Sequence, residues 1–203
     1  MSSLGIILLA RLLTTGSSGW ELQNETGDGV KVYTRTKPDS EVREVQAQAT
    51  IEGPAARVYK VLNDLDNYKD FMPYTRESKI VGKEGKATFF YSLIAAPIVA
   101  NRDYTLRMTD QSNFDPTSGF YKISWDSAND KGPAAKDGTV RIDVNKGHWL
   151  LEPTEDGKTT ATYYVYTNPG GAIPTWLINK ANKDSVPDVF RAIRKRMKDI
   201  RYN

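Results

Sequence analysis

The feature that most restricts the fold is a change of hydrophobic period near residue 170. Before it, apolar and polar side chains alternate: Val45, Ala47, Ala49 and Ile51 are interleaved with Glu44, Gln46, Gln48, Thr50 and Glu52. A period of two buries one face of a strand and wets the other, as in an antiparallel sheet. After it, Ile173, Trp176, Leu177, Ala181, Val186, Val189, Phe190, Ile193, Met197 and Ile200 recur at three-to-four spacing, the stripe of an amphipathic helix. Such a chain must lay one long terminal helix against a sheet assembled before it.

The strands are predicted over 29–36, 44–52, 76–82, 86–94, 101–109, 119–126, 139–152 and 159–167. Turn residues such as Gly82-Lys83-Glu84-Gly85 and Glu155-Asp156-Gly157 separate them. Gly53-Pro54 ends the second strand, and Val58, Tyr59 and Leu62 then predict a short helix over 54–63. A second turn, Tyr68 to Met72, stops at Pro73. Pro187 is expected to kink or restart the terminal helix near Asp184-Ser185. The layout reads as α+β, an antiparallel sheet curled around one helix.

Composition removes several chemistries. In 203 residues there is no Cys and a single His, His148. Disulfides, thiolate metal sites and a cysteine nucleophile are therefore excluded, and no metal or cofactor is expected. A net charge of +3 is too small to argue for a nucleic-acid partner. His148 lacks the orienting acid and nucleophile that a catalytic base requires. No Gly-x-Ser-x-Gly stretch or phosphate-cradling glycine loop is present, and the chain is read as a non-enzyme.

The first residues differ from the rest. Leu4 to Ala10 is a short apolar block, far below the roughly 20 residues that span a bilayer. Followed by Thr14-Thr15-Gly16-Ser17-Ser18-Gly19, it fits a secretory leader over 1–19, although Arg11 interrupts it and no Lys or Arg precedes it. A cleaved leader would make the protein periplasmic or secreted; an N-terminal extension would leave it cytoplasmic.

Four stretches, in order, resemble the START lipid-transfer domains, in a bacterial-type single-domain form over 20–203. They are Val30 to Arg35, Pro97 to Tyr104 with its Arg102-Asp103-Tyr104 end, Gly147 to Pro153, and Asn168-Pro169-Gly170-Gly171 through Trp176-Leu177 to Pro187. The resemblance implies a helix-grip fold: a curved sheet wrapped around the C-terminal helix, enclosing an apolar cavity for one lipid-sized ligand. It implies a hydrophobic partner such as a lipid, sterol or fatty acid, and a monomer.

On strand 101–109 alternation puts Arg102 with Tyr104, Leu106 and Met108 on the apolar face, and Asp103, Thr105 and Arg107 on the wet one. An inward arginine is costly unless paired or used to hold a polar ligand group. The resemblance places Arg102 in the cavity, with Ala87 where some members carry its acidic partner. The expected ligand-binding set is Arg102, Tyr104, Phe90, Trp125, Trp149, Tyr164 and Trp176. The loop 126–138 is expected to form one side of a gate with Asn129, Gly132 and Pro133, and Gly170, Gly171 and Ile173 the other. Lys180, Lys183, Arg191, Arg194, Lys195, Arg196, Lys198 and Arg201 on the terminal helix could favour transient contact with an anionic membrane. The alternative function is a polyketide cyclase or aromatase on the same scaffold, which would need an acid–base pair in its pocket.

Overall fold

The computed structural model of the chain describes residues 19–97, 99–115 and 119–202. The leader expected over 1–19 lies outside them except for Gly19. Ten strands form one curved, almost wholly antiparallel sheet, with a long helix at the C-terminus. They are β1 (Glu21–Glu25), β2 (Lys31–Lys37), β3 (Ser40–Ile51), β4 (Thr75–Glu84), β5 (Ala87–Ile94), β6 (Asn101–Asp110), β7 (Tyr121–Ser127), β8 (Thr139–Arg141), β9 (Val144–Pro153) and β10 (Thr159–Asn168). The order across the sheet is β1-β2-β3-β10-β9-β7-β6-β5-β4, with β8 pairing β6 in parallel beside this path.

The chain leaves the sheet between β3 and β4. There α1 (Ala55–Asn63) buries Ala55, Val58, Val61 and Leu62, and a 3-10 turn follows over Leu65–Asp70. This excursion carries the chain from β3 across to the far edge, so that β3 pairs with β10 instead of β4. The last element, α2 (Thr175–Arg196), packs across β2 and β3. The slim residues Val45, Ala47 and Ala49 form the floor beneath it, all buried. Val186, Phe190, Ile193 and Met197 face the core from the helix.

Three expectations change. The 139–152 strand is two strands, β8 and β9, because the chain first pairs with β6 and then crosses to β10. β1 was absent from the prediction, since all five of its residues are exposed and carry no alternation. Pro187 does not restart the helix, which runs unbroken through it. Proline removes only one intrahelical donor, and here its neighbours Val186 and Phe190 are anchored in the core.

Candidate functional site

Two adjoining pockets, of about 310 and about 150 Å³, lie between the inner face of the sheet and α2. They share Pro73, Ile94, Tyr104, Asn145, Tyr163 and Val189. The larger reaches Pro169, Ile173 and Leu177 at one end of α2 and takes in Arg102, Thr167 and Val186. The smaller is lined by Tyr68, Phe90, Met108, Trp125 and Trp149. Strand alternation explains the lining: Arg102, Tyr104, Leu106 and Met108 of β6 all contribute, as the period of two required.

Aromatic contacts fix the inner walls. Tyr163 lies 4.6 Å from Trp149 and 5.8 Å from Trp125 between ring centroids, and Trp149 meets Phe190 of α2 edge-on at 5.2 Å. Trp125 Nε1 donates to the buried Asn145 Oδ1 at 3.0 Å, which satisfies the indole N–H inside the core. Its ring crosses Gly147. A Cβ there would fall 2.5 Å from the indole and 2.2 Å from the carbonyl oxygen of Tyr164, so only glycine lets the ring lie flat on the strand. Burial pushes the phenols of Tyr104 and Tyr163 upward, keeping both neutral.

Among the described residues that line either pocket, Arg102 is the sole one with a charged side chain. It is only 6% exposed. One guanidinium nitrogen donates to the carbonyl of Ala100, while Nε has no acceptor and is buried. Burial, with no opposing charge, lowers its pKa from the usual value. The residue opposite it on β5 is Ile94, and Ala87 lies at the far end of that strand, opposite Thr109. The hydroxyl of Thr167, in the same pocket, is also buried without a partner.

The neighbouring Asp103 points the other way. It is fully buried on the outer face, against the expectation that this face is wet. Arg141 clasps it with Nε at 2.7 Å and Nη2 at 3.1 Å, and the Tyr91 hydroxyl donates to it at 3.2 Å. The Arg-Asp dipeptide is thus split across the sheet. Asp103 is matched by Arg141, and the positive charge of Arg102 is left to the pocket.

Of the expected ligand residues, Arg102, Tyr104, Phe90, Trp125 and Trp149 line the pockets. Tyr164 and Trp176 do not. Tyr164 is on the outer face, stacked on His148 and donating to Glu44 at 2.7 Å. Its neighbour Tyr163 occupies the inner position instead, opposite Trp149 and Ala47. Adjacent tyrosines leave the register ambiguous by one residue, and one residue reverses the face. Trp176 is 68% exposed in the first turn of α2, where Leu177 and Ile178 take the inner side. His148 is also on the outer face, and burial together with Lys122 lowers its pKa.

The two expected sides of a gate are placed differently. Gly170 and Gly171 both have left-handed backbone, with φ of 62° and 75°, which glycine adopts freely. A Cβ on Gly171 would sit 3.6 Å from Arg102 Nη2, so this turn lies over the guanidinium. Ile173 lines the larger pocket. In contrast, Asn129, Gly132 and Pro133 line neither pocket. Asn129 Oδ1 accepts from the amide of Thr105 at 2.8 Å, and a Cβ on Gly132 would collide with the Thr105 hydroxyl at 1.8 Å. The carbonyl of Pro133 accepts from Arg141 at 3.0 Å. Thr105 points away from the pocket, so this loop is fastened to the outer face of β6. The physical reason is that the backbone of Thr105 faces outward unpaired there, and the loop satisfies it: Asn129 Oδ1 takes its amide, and the amide of Ala128 donates to its carbonyl at 2.8 Å.

The START domain model matches residues 8–201 of the chain. The chain belongs to the START domain family. It is 26% identical over 175 residues to the phosphatidylcholine transfer protein of Mus musculus, covering 85% of this chain and 80% of the relative. The structure of a STAR-related lipid transfer protein fragment from Xanthomonas axonopodis superposes with a TM-score of 0.80 at 27% identity, over 89% of this chain and 99% of that one. An aromatase/cyclase from Streptomyces sp. R1128 shares the fold at a TM-score of 0.50 and 17% identity, covering 77% and 93%. This START chain therefore has the helix-grip architecture that its sequence motifs implied.

Proposed function

We propose that this protein binds one hydrophobic, lipid-like ligand between the sheet and α2, shielding it from water for storage or transfer. The observation that carries the reading is the pair of adjoining apolar pockets with a single buried cation at one end. Apolar walls with a few placed polar groups are the usual form of a small-molecule site. A cyclase reading would need a proton donor and acceptor facing the substrate. Among the described residues, those lining the pockets include no carboxylate and no histidine, which favours binding over chemistry. Native mass spectrometry of the purified protein after incubation with a lipid extract tests it. A one-to-one lipid adduct is expected; turnover of a poly-ketone substrate without any retained lipid would favour the cyclase.

Entry runs past the Pro169–Ile173 turn, which closes over Arg102 and has two glycines for a hinge. Amide exchange over 169–175 is expected to slow when ligand binds, while 128–133, already tied to β6, stays unchanged. Equal exchange of 169–175 with and without saturating ligand would remove the gate from this turn.

Membrane contact falls at the same rim. Most cations toward the end of α2 are occupied within the protein: Arg191 and Arg194 with Asp28, and Arg196 with Asp64. Trp176, by comparison, stands out from the first turn of α2, and Tyr74 at the pocket edge is 45% exposed. Aromatic rings of this kind favour the interfacial layer of a bilayer. Trp176→Ala is expected to slow release of bound lipid to anionic vesicles several-fold with equilibrium binding intact. An unchanged release rate would move the contact elsewhere.

A further inference from the structure

We infer that the end of the molecule opposite the pocket rim is a second lipid contact, so that one chain bridges two bilayers. The inference rests on the rim contact at Trp176 and Tyr74 proposed above and adds a separate surface to it. Position carries the first step. Trp176 stands in the first turn of α2, and Ile200 follows its last turn, opening a 3-10 turn over Ile200–Tyr202. A helix of 22 residues at 1.5 Å each holds the two about 33 Å apart. The sheet repeats the separation. Tyr74 lies at the pocket edge where β6 begins, whereas Phe114 follows the end of β6, whose ten residues carry the chain roughly 30 Å from the rim. Phe114 is 65% and Ile200 79% exposed, matching Trp176 and Tyr74 at the other end.

Chemistry carries the second step. Beside Ile200, Arg201 and Tyr202 line an open groove of about 470 Å³ with Tyr59, Lys60, Asn63 and Asp64. On its other side the ring of Tyr59 lies 4.9 Å from that of Tyr121, which Phe114 meets edge-on at 5.3 Å. Phe114 and Ile200 therefore flank one surface. The acids here are answered from within: Asp64 by Arg196 and Tyr202, Asp110 by Tyr59 and Ser112, Asp199 by Arg201. Asp115 is engaged as well. Lys195 and Lys198, within five residues of Ile200, are exposed and have no ion-pair partner among the described residues. Unmatched cations beside protruding apolar side chains suit an anionic lipid surface, with the lysines at its headgroups and Phe114 and Ile200 in the interfacial layer. A stable protein interface takes about 800 Å² from each partner. Two separated side chains and an open groove fall short of that, whereas a fluid lipid layer moulds to them.

The test uses the full chain with vesicles of phosphatidylcholine alone or of phosphatidylcholine and phosphatidylglycerol in equal parts. Clustering is read by light scattering, binding to single vesicles by flotation, and the state of the free chain by native mass spectrometry. The wild type is expected to be monomeric and to cluster the mixed vesicles only. Trp176→Ala/Tyr74→Ser blunts the rim and Phe114→Ser/Ile200→Ser the far end; each should still float with mixed vesicles yet lose clustering several-fold. All four side chains are exposed, so these variants keep their cores. Adding Lys195→Gln/Lys198→Gln to the rim variant should weaken its flotation roughly 25-fold, at about five-fold for each lysine near an anionic surface. Flotation of the wild type without clustering, or clustering that survives Phe114→Ser/Ile200→Ser, overturns the bridge while leaving the rim contact in place. Equal clustering of both vesicle types overturns the anionic preference. Clustering that survives Trp176→Ala/Tyr74→Ser removes the rim contact itself. A dimer that dissociates in Phe114→Ser/Ile200→Ser would give this face to a second copy and overturn the bridge.

Discussion

Asp103→Ala is expected to destabilise the protein by about 3–5 kcal/mol, the cost of removing one partner from a buried ion pair. Asp103 is 0% exposed and takes two hydrogen bonds from Arg141 and one from Tyr91. Its removal leaves the Arg141 guanidinium, which is mostly buried, facing an apolar gap. It also frees β8, because Arg141 is the last residue of that strand and its register partner on β6 is Asp103 itself. At roughly 2–4 °C per kcal/mol for a chain of this size, melting should fall by roughly 6–20 °C. Arg141→Met in the same background should recover part of the loss, since an apolar pair of similar volume needs no counter-ion. A fall of less than about 3 °C in Asp103→Ala would mean that water already solvates the pair.

That cluster shows where the sequence was readable and where it was not. The alternation of β3 and β6 placed Arg102, Tyr104, Leu106 and Met108 on the inner face, and the structure puts them in the pockets. Local periodicity is enough for this because the pleat fixes it. The same pattern assigned Asp103 and Thr105 to water, and both are fully buried. What covers them is the loop after β7, through Asn129, Gly132 and Pro133, more than twenty residues away in sequence. No local period encodes a loop folding back over the outer face. The long loop was legible as a feature, but not the side of the sheet it would occupy.

The other departures have similar causes. Tyr163 and Tyr164 are chemically alike and adjacent, so only strand register could choose between them. Trp176 joined the apolar stripe by spacing, yet the first turn of α2 is set by Leu177 and Ile178, which leaves the indole outside. β1, with no buried residue, had no hydrophobic signal to read. The START resemblance supplied what periodicity could not, namely the helix-grip arrangement of the curved sheet and the terminal helix. The unmatched charge of Arg102 needed both levels: its face from the alternation, and the absence of a counter-ion from the assembled fold.

Phe190→Ala tests whether α2 closes the pocket by packing or merely lies over it. Phe190 is 0% exposed and meets Trp149 edge-on, one step along the helix from Val189, which lines both pockets. Truncating a fully buried phenylalanine typically costs about 3–5 kcal/mol through lost transfer energy and the cavity left behind. Melting should therefore fall by roughly 6–20 °C. Exposed ion pairs of the same helix, such as Arg191 with Asp28, should matter far less when broken. The new void would adjoin the ligand space, because Trp149 forms the wall between them. Saturating ligand is then expected to restore stability, by about 2.7 kcal/mol at a hundred times its dissociation constant, as for any ligand that binds only the folded state. Ligand that stabilises the wild type but not Phe190→Ala would show that the pocket depends on this one ring to stay closed. A small loss of stability in the variant, with ligand affinity unchanged, would instead mean that α2 is held mainly from outside, by its turn at Gly170-Gly171 and its surface pairs, and that the core contact is incidental to closure.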